Sequence, residues 1–257
     1  MIDIHCHILY GIDDGAETKE DTIAMLKEAI AEGIHTIVAT PHHDRHFTNH
    51  REDILTFVTQ VNEWIQDENL PIKLLPGQEI RIFSDLIQEI EKEDTSDLLT
   101  YVNQSKYALI EFPHHDVPDY AESILYELKI RGITPVIAHP ERNKKLIENP
   151  DLLYQFVQNG ALSQVTTMSV MGGFGRKIQK FSLDLYKHHL AHFLASDAHN
   201  LTTRSFKMQE AIAYIEKQCG NEMMAEIYEN TERLVAGEAI VPRQCQRIKR
   251  KKLLGIF

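Results

Sequence analysis

No stretch of this 257-residue chain approaches the ~20 consecutive apolar residues that a bilayer-spanning helix needs. A Gly/Ser-rich linker and low-complexity runs are also missing, which argues against a string of loosely tied modules. The N-terminus has no basic segment leading into an apolar one and enters a strand directly, so the reading expects no signal peptide and a cytoplasmic protein. Cysteine is scarce. Cys6, Cys219 and Cys245 are odd in number, widely spaced and without a C-x-x-C pair, which excludes a thiolate zinc site and fits reduced thiols. Positive charge is scarce as well, except at one end. Arg243, Arg247, Lys249, Arg250, Lys251 and Lys252 follow Pro242 without an acid; setting these six aside leaves 21 basic against 38 acidic residues, a body of net charge −17. Such a body argues against general nucleic-acid binding, which rests on a basic face.

What the chain does have is rhythm. Apolar runs at Met1–Ile4, Ile34–Thr40, Ile72–Ile80, Lys106–Phe112, Ile133–Ala138, Ala161–Thr167 and Ala191–Ser196 read as buried strands. Helical spacing separates them. Thr18 and Asp21 form a capping box ahead of a helix reaching Gly33, and Ile54, Phe57, Val58, Val61, Trp64 and Ile65 line a second. Further helices are expected at Ser84–Glu93, Tyr120–Arg131, Asp151–Asn159, Phe206–Gln218 and Glu222–Ala236, and Met171–His189 reads as Gly-rich at its start and then helical. Strands alternating with helices imply a parallel sheet, and seven or eight such units at this length imply a closed barrel. The expected fold is therefore α/β, a distorted TIM-like (β/α)7 barrel over residues 1–242, followed by a basic tail at 243–257.

In a parallel barrel all strand C-termini lie on one face, so residues far apart in sequence converge there. His5, His7, His42, Glu79, Glu111, His139, Asp197 and His199 sit at such ends. On a strand, residues two apart share a face, so the two imidazoles of His5-Cys6-His7 project together, as a divalent metal site requires. Each residue also has a plainer reading. Asp14 precedes Gly15 in a turn, where aspartate is common. His43, His114 and His115 read as neighbours of the site rather than members, and His188, His189 and His192 as solvated. Glu79 and Glu111 lie in apolar strands, where an unpaired carboxylate is costly, so a positive partner is expected on physical grounds alone.

The strings MIDIHCHILYGIDDG, TPHH, PGQEI, LIEFP, VIAHPER, GGFG and ASDAHNLTTR extend from residue 1 to about 204. Together they resemble the PHP (polymerase and histidinol phosphatase) metallohydrolases, and more closely their bacterial tyrosine-phosphatase branch, the CpsB/CapC type associated with capsule and exopolysaccharide synthesis. The resemblance implies up to three divalent metals, usually manganese, with Fe or Zn as alternatives. His5, His7, Glu79 and Asp197 would hold one. Glu79 would bridge to a second, completed by Glu111 and His139, and Asp14, His42 and His199 would hold a third. Arg142 and Arg204 correspond to phosphate-gripping arginines. The implied reaction is metal-assisted hydrolysis of phosphotyrosine, with an autophosphorylated bacterial tyrosine kinase and its targets as partners.

Other readings stay open from sequence: a small-molecule phosphatase acting on histidinol phosphate, an amidohydrolase or deaminase, and a phosphotyrosine-binding kinase partner without turnover. A cysteine-dependent phosphatase is not among them. The position six residues after Cys6, where such enzymes carry arginine, is Ile12. The basic tail, ending in Leu253, Leu254, Ile256 and Phe257, suggests contact with an anionic membrane surface or docking on a membrane-bound kinase at the inner face of the plasma membrane.

Overall fold

The computed structural model describes residues 1–92, 98–103 and 105–249. Nine strand segments were found among them: β1 (Ile2–Cys6), β2 (Thr36–Ala39), β3 (His42–His43), β4 (Lys73–Pro76), β5 (Glu79–Arg81), β6 (Tyr107–Glu111), β7 (Thr134–Ala138), β8 (Leu162–Thr166) and β9 (Phe193–Ala195). Every pairing between them is parallel, in the orders β1-β2-β4 and β3-β5-β6-β7-β8-β9. The two sheets are one barrel whose second and third strands are each broken in the middle. Pro41, which has no N–H to give to a ladder, separates β2 from β3, and Gly77-Gln78 separates β4 from β5. The expected strand at Ile34–Thr40 is present as β2, whereas the one at Ile72–Ile80 is corrected: it is two segments lying in different sheets.

β1 closes the ring against β9. Cys6 bridges Ala198, the His7 N–H donates to the Ala198 carbonyl at 2.9 Å, and the Asp197 N–H donates to the His5 carbonyl at 2.8 Å. The Asp3 carboxylate reinforces this seam by accepting from the Ser196 N–H at 2.9 Å and the Ser196 hydroxyl at 2.5 Å. Seven strands, with the breaks counted as interruptions, complete the barrel.

Inside, Ile4, Val38, Leu109, Val136, Leu162 and Phe193 form a dry lower layer that Tyr101, Tyr107 and Leu234 join. The larger apolar cluster lies between strands and helices, and it takes Cys6, Ile37, Ile110, Ile137 and Leu194 from the outward strand faces. The surrounding helices are α1 (Lys19–Ala31), α2 (Arg51–Asp67), α3 (Leu86–Ile90), α4 (Ala121–Ile130), α5 (Lys144–Glu148), α6 (Pro150–Gln158), α7 (Thr167–Val170), α8 (Arg176–Lys187), α9 (Met208–Cys219) and α10 (Asn221–Ala236). The α1 cap is as expected: the Asp21 N–H donates to Thr18 Oγ1 at 3.2 Å and the Thr18 N–H to Asp21 Oδ2 at 3.0 Å.

The segment Met171–His189 is as expected: residues 171–175 form a tight turn after the short α7, and the helix runs from Arg176 to Lys187. The expected end of the Ser84 helix at Glu93 lies outside the described residues. His192 is buried and accepts from the Ser163 N–H at 3.1 Å, which corrects its reading as solvated. No described helix is long and apolar enough to cross a membrane.

Candidate metal centre

An irregularity in the first strand aims the site. The register of β1 against β2 shifts between Asp3 and Cys6, so Ile4 joins the inner apolar layer while Cys6, two residues on, faces outward. A bulge of this kind re-aims the side chains that follow it. His5 and His7 thereby face the barrel mouth, directly above the dry layer. Glu79 and Glu111 reach the same place from β5 and β6, and His42 from β3. His139 and Asp197 arrive just past β7 and β9 with left-handed backbones, φ 30° and 52°, a conformation that costs free energy in a non-glycine residue.

The hydrogen bonds behind the histidines fix which nitrogen faces inward. His5 Nδ1 lies 2.9 Å from Gln164 Oε1, and the Gln164 amide is itself oriented by donating to the Val165 carbonyl. His7 Nδ1 lies 2.7 Å from Asp13 Oδ2, and His199 Nδ1 lies 2.9 Å from the Asp197 carbonyl. All three partners accept only, so in the neutral ring each Nδ1 carries the proton and each Nε2 turns a lone pair inward. Asp13 also accepts from the backbone N–H groups of His42 and Gly15, at 3.1 and 2.9 Å. Gly15 cannot be replaced here, since a Cβ would lie 2.0 Å from the His7 carbonyl oxygen.

His5 Nε2 and His7 Nε2 stand 3.2 Å apart. Glu79 Oε2 is 3.4 and 3.3 Å from them, and Asp197 Oδ1 is 3.3 and 3.4 Å. The two Nε2 atoms and a Glu79 oxygen form a donor group compact enough to hold one divalent ion, and Asp197 Oδ1 flanks the imidazole pair from the other side. Two inward lone pairs at this separation repel unless a cation lies between them. Glu79 Oε2, Asp197 Oδ1, His42 Nδ1 and His199 Nε2 make no hydrogen bond among the described residues, although buried polar atoms ordinarily do. The donor set fits a metal.

The remaining predicted residues lie beside this group. His139 Nε2 is 2.8 Å from Glu79 Oε1 and 3.7 Å from Glu111 Oε1. Asp14 Oδ1 sits 3.3 Å from His42 Nε2 and 3.2 Å from His199 Nε2, and His7 shares that group. Arg142 Nη1 and Arg204 Nη2 both reach Asp197 Oδ2, at 2.8 and 2.9 Å. His43 bonds to the Asn49 carbonyl instead, and His114 and His115 are exposed.

Three contributors were not foreseen: Asp13, Gln164 and Arg81, whose Nε lies 2.7 Å from Glu111 Oε2. Arg81 follows Glu79 by two residues on one strand, a spacing that places both on one face and was available as a signal.

Burial opposes protonation of His5, His7 and His42, yet neighbouring carboxylates outweigh it: Glu79 and Asp197 at His5, Asp13 at His7, and Glu79 at His42, which is held up to about 10. Burial, then the charge of Arg142, pushes His139 down to about 3. Burial and the Glu79 charge push Glu111 up to about 7. Without metal, this centre draws in protons as its countercharge.

The model of the family described as capsular polysaccharide synthesis, CpsB/CapC, matches residues 1–236. The chain belongs to that family. It is 46% identical to the tyrosine-protein phosphatase YwqE of Bacillus subtilis over 258 residues, covering all of both chains. It is 37% identical to the putative tyrosine-protein phosphatase CapC of Staphylococcus aureus over 259 residues, again covering all of both. A crystal structure from work on YwqE and Streptococcus pneumoniae CpsB, described there as unique metal-dependent tyrosine phosphatases, superposes with a TM-score of 0.93 at 46% identity. That match spans 97% of this chain and 100% of the other. The expected family and barrel are both borne out.

Proposed function

We propose that this CpsB/CapC member is a metal-dependent protein-tyrosine phosphatase whose catalytic unit is the barrel of residues 1–242. One observation carries the reading: a buried, inward-facing cluster of His5, His7 and Glu79 flanked by Asp197, beside two arginines that converge on the other oxygen of Asp197. His5, His7, Glu79 and Asp197 would hold one ion. Glu79, Glu111 and His139 would hold a second, and Asp14, His42 and His199 a third. Imidazole and carboxylate without thiolate suit Mn, Fe or Zn, and we assign manganese. Such ions supply Lewis-acid charge and make water a competent nucleophile near neutral pH.

The protein's own groups do the rest. Arg142 and Arg204 each give Asp197 an N–H and retain others, which can grip the non-bridging oxygens of a phosphate. Asp197 holds the two forks side by side before substrate arrives, so little reorganisation is needed as charge shifts during transfer. A phenolate leaves with a pKa of roughly 10, so the reaction can proceed without a dedicated general acid. Cys6 takes no part as nucleophile: burial pushes its thiol well above the usual range, and its Sγ faces the Ala198 carbonyl.

The protein substrate is then an autophosphorylated bacterial tyrosine kinase of the capsule pathway, a reading supported by the family's description. The peripheral membrane role of the tail rests on its far end. Arg243 pairs with Glu226 and Arg247 with Asp151 on the protein itself, while Arg250 to Phe257 lie outside the described residues.

The test is hydrolysis of a phosphotyrosine peptide, a phosphoserine peptide and histidinol phosphate, in EDTA and with added Mn²⁺. Metal-restored turnover of the phosphotyrosine peptide supports the reading. Preference for histidinol phosphate moves the protein to small-molecule chemistry, and metal binding without turnover makes it a binding partner.

A further inference from the structure

Phe174 is an aromatic side chain near the barrel mouth that belongs to neither apolar cluster of the core. Phe174 lies in the turn between α7 and α8, and its ring centre is 5.4 Å from Cζ of Arg142, the arginine bonded to Asp197. It is 36% exposed, although a phenyl ring ordinarily gains by burial. The turn that carries it is closely determined. The Gly172 N–H donates to the Ser169 carbonyl at 3.1 Å, the Gly173 N–H to the Met168 carbonyl at 2.9 Å, and the Gly175 N–H to the Gly172 carbonyl at 2.9 Å. Gln179 Nε2 secures the other side by donating to the Val170 carbonyl at 3.0 Å. At Gly173 a Cβ would come within 2.4 Å of Met168 Cε and 3.3 Å of the Met168 carbonyl oxygen, so the turn lies close against Met168. This stiff turn holds an apolar ring in the open beside a phosphate-gripping group.

We propose that Phe174 is the specificity residue that selects aryl over alkyl phosphates, by packing against the ring of the phenol ester. The inference rests on the phosphatase reading and names the substrate class of that same site. In an aryl phosphate the ring begins one oxygen from phosphorus. A phosphate gripped by Arg142 therefore brings its ring into the range of Phe174, since aromatic pairs favour centroids roughly 4.5–7 Å apart. An alkyl ester offers no such face, and inorganic phosphate offers nothing. The fixed turn means that the ring need not be ordered on binding, which preserves affinity.

Calorimetric titration of metal-loaded protein with phenylphosphonate and with inorganic phosphate reads this directly, because neither ligand is hydrolysed. Phe174→Ala is expected to weaken phenylphosphonate roughly tenfold while phosphate changes by less than about twofold. Phe174→Tyr should restore the aryl affinity, and Phe174→Leu should fall between. Equal weakening of both ligands would overturn the proposal, since the ring would then serve only to prop Arg142. Unchanged affinity for both would overturn it as well. Failure of the parent reading is distinguishable, because it would appear as wild-type protein that does not hydrolyse phosphotyrosine peptide, whatever the titrations give.

Discussion

Asp13 touches no proposed metal, yet it is where the account is most exposed. Its Oδ2 accepts from His7 Nδ1 at 2.7 Å and from the His42 N–H at 3.1 Å, and its Oδ1 accepts from the Gly15 N–H at 2.9 Å. Asp13→Asn keeps the shape but loses the charge and one acceptor: with its oxygen toward His7 and the His42 N–H its NH2 opposes the Gly15 N–H, and with the amide turned its NH2 opposes the proton on His7 Nδ1. His7 then does best by moving its proton to Nε2, where it points at His5 Nε2, 3.2 Å away. That proton lies between the two imidazoles, where an ion held by His5 and His7 would sit. Loss of an outer partner of this kind weakens metal affinity roughly 10- to 100-fold, about 1.4–2.7 kcal/mol. Competition of Mn²⁺ against a chelating dye, with activity followed as a function of free Mn²⁺, measures it. The expected result is a midpoint shifted to higher metal, with turnover recovered in excess metal. An unshifted midpoint would refute the reasoning, because His7 would then have no orientation to lose.

Arg142→Ala should lower kcat/KM for a phosphotyrosine peptide roughly 10²- to 10³-fold, the usual effect of removing a donor aimed at transition-state charge. Cys6→Ser, checked in the same assay, should stay active. Metal affinity should rise with pH: His5, His7 and His42 are held above their ordinary value in the metal-free protein, His42 to about 10, so an ion taking these imidazoles near neutral pH must displace protons. The acid limb of the activity profile should accordingly move to lower pH as Mn²⁺ is raised, and a limb indifferent to metal would contradict this. Truncation after Pro242 should lower Tm by a few degrees in a thermal melt, because Cys245 and Ile248 pack on the core and Arg247 lies 4.3 Å from the centre of the Tyr154 ring.

Much of this was readable from the sequence, for a definite reason. A parallel barrel gathers its strand ends whatever the loops do, so finding His5, His7, Glu79, Glu111, His139 and Asp197 at strand ends was enough to bring them together. The breaks were harder to read. Pro41 looks like the end of a strand, and nothing local shows that pairing resumes at His42 on a different neighbour. Periodicity also hides the register shift in β1, since it assumes the even alternation that the shift breaks. The burial of His192 depends on the Ser163 N–H from another strand, which no local pattern reports. Asp13 draws no notice in the sequence, because an aspartate before Asp-Gly has a sufficient local explanation in the turn. Only the position of His7 above the turn shows the additional role.

The buried histidines and carboxylates are proposed here to form a metal centre rather than a web of ion pairs. Elemental analysis of protein purified without chelator, alongside Glu79→Gln, tests it most directly, because Glu79 contacts His5, His7, His42 and His139. The account predicts more than one tightly held divalent ion per chain in the parent protein, fewer in Glu79→Gln, and phosphotyrosine hydrolysis that falls with them. A chain that retains no divalent ion, yet hydrolyses phosphotyrosine fully in EDTA, would contradict it.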